Sequence, residues 1–331
     1  MHELVREWSA AGGAGAILAR LPLDQGGLTA AFAPGRGGSR LLWLAKTVRG
    51  EAACARLRAE RLALERLAPL AESLRLPRVL AGSESGQGEA AEACLLQTAI
   101  EGKPMRVDWH AAAGRAPLPR EMIAAGAWLR RFQRLCRKRS ELKPGLSLAE
   151  LGRQVQSRLA AAPEPAGALL APLLAQLEDA AGEAECIPIH GDFWAGNLIR
   201  SGRRDEIGVV DWSGFGPGSA LDDLLTFMAS LPCRTSGEAG SRLHGWRQLW
   251  FQPGRAQQYL RAWAAEAEYG PAQARFAFYL FLARRLGWEM GLDLQARNRA
   301  ERAAAHAHWT AALAWLRQNR FPDPFTNSVP A

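Results

Sequence analysis

Two aspartates and an asparagine are the residues of this chain best placed to do chemistry. Asp192 and Asn197 stand in the stretch HGDFWAGN at 190–197, and Asp211 follows fourteen residues later in the run IGVVDWSG. A carboxylate such as Asp192 can sit beside a reacting hydroxyl and accept its proton. An amide oxygen and a second carboxylate, Asn197 and Asp211, can hold a magnesium ion on the phosphates of a nucleotide, because that ion prefers hard oxygen ligands. His-Gly-Asp followed by that asparagine should arise by chance in roughly one chain in a thousand of this length. An aspartate placed after a strand-like apolar run lowers those odds further.

These three residues need a strand–loop–strand frame. The segments 187–189, 198–199 and 207–210 read as short strands, the first two as a pair flanking the catalytic stretch. The first hundred residues predict a small sheet with one helix. Residues 15–23 are mostly apolar, DQGGL at 24–28 breaks the chain, and TAAFA leads into the turn PGRGGS at 34–39. RLLWLAK at 40–46 then reads as a buried strand ending on Lys46. A helix from about Gly50 to Ala68 should follow, with Ala53, Leu57, Leu64 and Leu67 on one face. Glu60 falls on that same apolar stripe, where a carboxylate is costly unless paired. Its expected partner is Lys46; the alternative is Arg56 or Arg61 on a solvated flank. Pro77–Leu80 opens a further strand, residues 83–92 form a polar turn, and 93–104 run as a strand into a linker. Helical periodicity then dominates residues 121–136, 148–181 apart from the loop APEPAG, and most of the chain after Asp211. The tail at 321–331 reads as loosely held.

Composition bounds the remainder. The chain has 331 residues and 48% hydrophobic content, enough for two lobes with ample core. No run of eighteen apolar residues predicts a membrane span, and the first residues do not read as a signal peptide. Five scattered cysteines (54, 94, 136, 186, 233) without a CxxC pair argue for reduced thiols, and so for a cytoplasmic setting. The net charge of +8 comes from dispersed arginines with no nucleic-acid motif, which argues against nucleic acid as a partner. Only four lysines occur, at 46, 103, 138 and 143. In such a chain a lysine marks a place that wants a compact point charge. His306 and His308 point to different helix faces and predict no metal site.

Aspartate, four residues, then asparagine, with a metal-binding aspartate further on, is also the catalytic-loop spacing of protein kinases. Together with GGLT at 26–29, Lys46, Glu60, LLQTAIEG at 95–102 and DDL at 222–224, these residues resemble the aminoglycoside phosphotransferase and choline kinase-like superfamily of small-molecule kinases. The resemblance implies an α+β, bilobal, protein-kinase-like fold. An N-terminal antiparallel sheet lobe (1–97) would bind nucleotide, 98–104 would be the hinge, and 105–331 would form a larger, mainly helical catalytic and acceptor-binding lobe. It implies ATP and Mg2+ as cofactors and a small-molecule hydroxyl as acceptor. Gly26 and Gly27 would let backbone approach phosphate. Lys46, fixed by Glu60, would hold the α- and β-phosphates. The backbone near Leu96, Gln97 and Thr98 would meet the adenine edge. Asp192 would be the catalytic base, Asn197 and Asp211 the metal ligands, and His190 and Asp223 structural supports. The chain departs from the family's usual Leu-His at Phe132-Gln133, and it lacks the long glycine-rich fingerprint of protein kinases, which argues against peptide phosphorylation.

The acceptor is approached through charge. After Trp212 there are nine acids against thirteen arginines, a poor balance for a polycationic drug and for choline. Six tryptophans (246, 250, 263, 288, 309, 315) lie in the same region. Most of these rings are expected to be core; any aromatic face left open beside arginines suits a sugar or another neutral or anionic metabolite. The alternatives are an aminoglycoside or choline/ethanolamine-type kinase, and a catalytically silent nucleotide-binding pseudokinase.

Overall fold

A computed structural model describes residues 17–23, 26–35, 38–106, 118–160, 165–201, 206–231, 239–291 and 310–326. Its strands are β1 (Ile17–Leu23), β2 (Gly26–Gly35), β3 (Gly38–Arg49), β4 (Val79–Ser85), β5 (Glu92–Thr98), β6 (Lys103–Pro104), β7 (Ile187–Ile189), β8 (Leu198–Arg200), β9 (Ile207–Val209) and β10 (Gly216–Gly218). Its longer helices are α1 (Glu51–Leu67), α2 (Ala71–Leu74), α3 (Arg120–Arg137), α4 (Leu148–Ala160), α5 (Pro165–Leu177), α6 (Asp222–Ser230), α7 (Ala239–Trp246), α8 (Arg255–Glu266) and α9 (Pro271–Gly291). The fold is α+β, with an antiparallel sheet first and a mostly helical remainder. No helix among the described residues is long and apolar enough to cross a membrane.

The chain divides into two compact units. The first comprises residues 1–105 together with 190–192 and 196–215, so the residues singled out for chemistry, Asp192, Asn197 and Asp211, fall with the sheet. That sheet has five antiparallel strands in the order β1-β2-β3-β5-β4. Helix α1 covers one of its faces because the sequence repeats apolar residues every three or four positions. Cys54 and Leu57 pack on Ala93 and Leu95 of β5, with Val48 and Val79 beside them. Trp43, Ala45 and Leu96 form a separate cluster with Leu80 and Ala81. The strict alternation of the two clusters along β3 and β5 fixes the register, since a slip of one residue would exchange the faces. A second, three-stranded sheet in the order β6-β8-β9 carries the loops of interest.

The second unit comprises residues 106–189, 193–195 and 216–331. Helix α4 begins with a capping box: Ser147 Oγ accepts from the Glu150 N–H, and the Ser147 N–H donates to Glu150 Oε2. The core gathers large rings, among them Trp250, Phe276, Phe278 and Tyr279. Trp246, Trp250 and Trp263 are buried there, and Trp246 and Trp263 spend their indole N–H groups on Ala229 O and Ala220 O. These three rings are core, as most of the six tryptophans are expected to be, and they offer no open face to a sugar. Trp309 and the side chain of Trp288 lie outside the described residues, as do His306 and His308.

Two expectations change. Strands β7 and β8 do not pair with each other: β7 pairs with β10 and β8 with β9, because an eight-residue loop, 190–197, separates them instead of a tight hairpin turn. The first part of the tail is tied down rather than loose. Tyr279 donates to Pro322 O at 2.7 Å and Arg275 to Phe321 O at 3.1 Å. Residues 327–331 lie outside the described residues. The cysteines at 54, 94, 136 and 186 are free thiols, and Cys233 is outside the described residues.

Candidate active site

Lys46 projects from β3 toward α1. Its Nζ donates to both carboxylate oxygens of Glu60, each at 2.7 Å. Glu60 is the buried acid on the apolar stripe of α1, and the pairing offsets part of the penalty of that position. Burial alone would lower the Lys46 pKa, but the charges of Glu60 and Asp211 outweigh it and hold the ammonium above its usual range. Burial raises the Glu60 carboxyl, the Lys46 charge offsets this in part, and Asp211 adds to the rise. The Trp212 backbone N–H also bonds to Glu60, so one carboxylate joins β3, α1 and the loop after β9.

That loop and the 190–197 loop are laced together. The Val210 N–H donates to Asn197 O at 3.0 Å. His190 is fully buried: its Nδ1 accepts from the Asp192 N–H at 3.2 Å and its Nε2 donates to Val210 O at 3.1 Å. This fixes one neutral tautomer. Burial drops the His190 pKa to about 4, although Asp211 pulls the other way. The ring stands edge-on to Trp212, with centroids 4.5 Å apart. Gly191 has φ +82, and a Cβ there would lie 2.1 Å from Gly214 O. Only glycine permits the loops to approach so closely.

The acids and amide sit on this frame. Asn197 Nδ2 donates to Asp192 O at 2.9 Å and to Asp192 Oδ2 at 3.1 Å. With its nitrogen committed to Asp192, Asn197 has its side-chain oxygen left as a donor to a cation. Asp211 adopts a left-handed backbone, φ 63, and its Oδ1 accepts from the Ser213 hydroxyl at 3.0 Å. Burial would raise the Asp211 pKa, but Lys46, His190 and Ser213 together hold it below the usual carboxylate range.

The remaining expected site residues divide. Gly26 and Gly27 open β2 instead of lying in a loop: they pair with Val48 and Thr47, and Gly27 O accepts from the Thr47 hydroxyl at 3.1 Å. Residues 24 and 25, which join β1 to β2, are outside the described residues. Leu96, Gln97 and Thr98 close β5, where β3 and β4 flank them. The Thr98 N–H donates to Arg78 O and the Ala99 N–H to Leu42 O. The sheet thus holds the Thr98 amide, one of those expected at a base edge. Asp223 is buried in the first turn of α6, within the second unit. Its neighbour Asp222 accepts from Ser219 Oγ at 2.6 Å and from the Arg284 guanidinium. Gln133, standing where the family usually has histidine, donates to Ala220 O at 3.0 Å. Phe132 stacks on Trp128, which stacks on Phe193. The bracing by Ser213, Trp212, Arg284 and the Gly191–Gly214 approach was not foreseen. Of these, only the glycine in HGD gave a signal in the sequence.

The comparisons accord with this geometry. Residues 36–279 match the model of the phosphotransferase enzyme family. The fold is similar to that of choline kinase from Cryptosporidium parvum Iowa II (TM-score 0.57, 10% identity, covering 98% of this chain and 99% of that one). It is equally similar to that of a candidate aminoglycoside phosphotransferase of Ralstonia eutropha JMP134 (0.57, 15%, 95% and 97%). Macrolide 2'-phosphotransferase type I is a further neighbour (0.53, 15%, 92% and 95%). At these identities the likeness is one of fold, and no curated protein matches the chain in sequence. With nearly three quarters of its length matched, the chain belongs to the phosphotransferase enzyme family, the small-molecule kinases whose phosphoryl acceptor is an alcohol group.

Proposed function

We propose that this enzyme moves the γ-phosphoryl group of ATP to a hydroxyl of a sugar or another neutral or anionic metabolite. One observation carries the reading of the site. Lys46, locked by Glu60 and under the field of Asp211, belongs to the same compact unit as the Asp192–Asn197 couple. That arrangement supplies a fixed cation for phosphate and a held carboxylate for a hydroxyl.

Lys46 holds the α- and β-phosphates. Asp192 orients the acceptor hydroxyl and takes its proton as the new P–O bond forms and the bond from the γ-phosphorus to the bridging oxygen of ADP breaks. The donor set fits magnesium, a hard ion that takes few protein oxygens and keeps waters and phosphates as its other ligands. Asn197 and Asp211 would hold it, and when bound it would neutralise phosphate charge. Gly26 and Gly27 lie one strand over from Lys46, beside the phosphate path. The base edge meets backbone at the exit of β5. His190 stays neutral and braces the loop, and Asp223 is a support at the buried start of α6.

The acceptor class rests on charge, since Trp246, Trp250 and Trp263 are buried. Beyond Trp212, Asp222 is committed to Arg284, Glu266 to Arg130, and Asp323 to the Phe325 N–H. A polyamine drug needs a set of uncommitted carboxylates, and these three of the nine are engaged elsewhere. The test is ADP release from ATP and Mg2+ across a panel of sugars, sugar acids, aminoglycosides, choline and ethanolamine. Turnover with sugars or anionic alcohols is expected. Turnover confined to aminoglycosides or amino alcohols would overturn the acceptor class, and ATP binding without transfer to any acceptor would favour the silent pseudokinase.

A further inference from the structure

Gln97 is 1% exposed, and its Oε1 is buried with no hydrogen-bond partner. An orphaned buried acceptor is rare in a native interior and calls for an occupant. Its position says which. Cross-strand partners share a face of a sheet, as do residues two apart on a strand. Lys46 pairs with Leu95, and Leu44 with Gln97. Leu95 lies under α1, in the cluster with Cys54 and Leu57, and Val79, the β4 partner of Gln97, packs on that cluster. Gln97 therefore lies on the face from which Lys46 reaches Glu60. It stands two residues beyond the Lys46 partner, about 7 Å along β5. Leu96 belongs to the other cluster, and the Thr98 hydroxyl already accepts from the Arg78 N–H. Among the three residues that close β5, Gln97 alone brings an unused polar atom to the Lys46 face.

This deepens the nucleotide reading and rests on it. With phosphates at Lys46, a nucleotide lying along β5 toward the strand's exit brings its base to Gln97. We propose that Gln97 reads that base: its carboxamide oxygen accepts from the exocyclic amino group at the 6-position of adenine. Adenine carries a donor there and guanine an acceptor, so Gln97 selects ATP over GTP. A site built to hydrogen-bond one group discriminates against the analogue that lacks it, because its own atom is then left unpaired.

The test measures binding of ATP, GTP and purine riboside triphosphate, which lacks only the 6-amino group, to the full chain with Mg2+. For the unaltered protein, ATP should bind about 3- to 10-fold more tightly than purine riboside triphosphate, the worth of one hydrogen bond. In Gln97→Met, which keeps the volume and removes the acceptor, the two should bind equally. Equal binding to the unaltered protein, or tighter binding of GTP than of ATP, would overturn the proposal, and neither measurement needs the variant to fold. An unchanged ratio in a folded Gln97→Met protein would also overturn it. Failure of all three nucleotides to bind would instead strike at the nucleotide site itself.

Discussion

Asn197 grips Asp192 at two points, donating from one side-chain nitrogen to the backbone oxygen at 2.9 Å and to Oδ2 at 3.1 Å. The carboxylate proposed to face the acceptor hydroxyl is thus held by the residue proposed to hold the cation, so its position is set within the loop itself. Preorganisation of this kind is where phosphoryl transfer gains most, since the reaction asks for placement and charge neutralisation more than covalent help.

Replacing Asp192 by Asn should separate proton acceptance from binding. Turnover of the best panel acceptor should fall by about 10²- to 10⁴-fold, the usual worth of a general base. Nucleotide affinity should stay within about threefold. Steady-state kinetics with a parallel ATP titration checks both, and full turnover in the variant would remove Asp192 from the base role.

Lys46→Met should cost stability as well as activity. It strands the buried Glu60 carboxylate, and losing one partner of a buried pair costs about 3 kcal/mol or more. The double change Lys46→Met with Glu60→Leu should regain most of that stability while remaining inactive. Urea melts of the three proteins decide it; a single variant as stable as the parent would show that the pair is not coupled.

Gly191→Ala should damage the site through backbone alone. The new methyl would lie 2.1 Å from Gly214 O, on a residue at φ +82. A loss of about 2–3 kcal/mol is expected, with turnover reduced because the loops bearing Asp192 and Asp211 must part. Thermal melts and kinetics check it. Gly145→Ala is the control: with φ +64 and open space around it, it isolates the cost of conformation from that of collision. Equal losses in the two variants would show that the close approach to Gly214 carries no penalty of its own.

Cys186 should resist alkylation in the folded protein. Burial, helped by the charge of Asp222, pushes its thiol up to about 12. A thiol so raised is almost wholly protonated at pH 8, and the thiolate is the reactive form. Iodoacetamide at pH 8 followed by peptide mass mapping should leave Cys186 unmodified until urea is added. Rapid native modification would contradict the assigned environment.

Much of this site could be read from residue types and spacing because its chemistry is written in short stretches. A carboxylate on an apolar helical stripe demands a cation, and Lys46 was the one scarce residue near enough, so the Lys46–Glu60 pair was legible. The helix expected from about Gly50 to Ala68 is α1, Glu51–Leu67, since its periodicity is regular. What escaped was long-range or degenerate. Nothing in Gly216–Gly218 announces a strand, yet β10 takes the place beside β7 that β8 was expected to fill. Helical tryptophans read alike whether they face a ligand or a core; the rings at 246, 250 and 263 are core, the reading expected of most of them, but their sequence did not single them out. The Asp222–Arg284 pair joins residues too far apart in sequence for periodicity to reveal.

Among the described residues, strand β6 pairs with chain that follows it: Lys103 and Pro104 pair with Arg200 and Ile199, and the Met105 N–H reaches Leu198 O. The amino-terminal portion therefore cannot be cut out as a cassette. Splitting this enzyme after Met105, or trading that part with a relative to change nucleotide preference, would leave the graft without the strands that complete it. Recombination would have to carry the 196–215 segment along, so the five-stranded sheet and the stretch bearing Asn197 and Asp211 are inherited together.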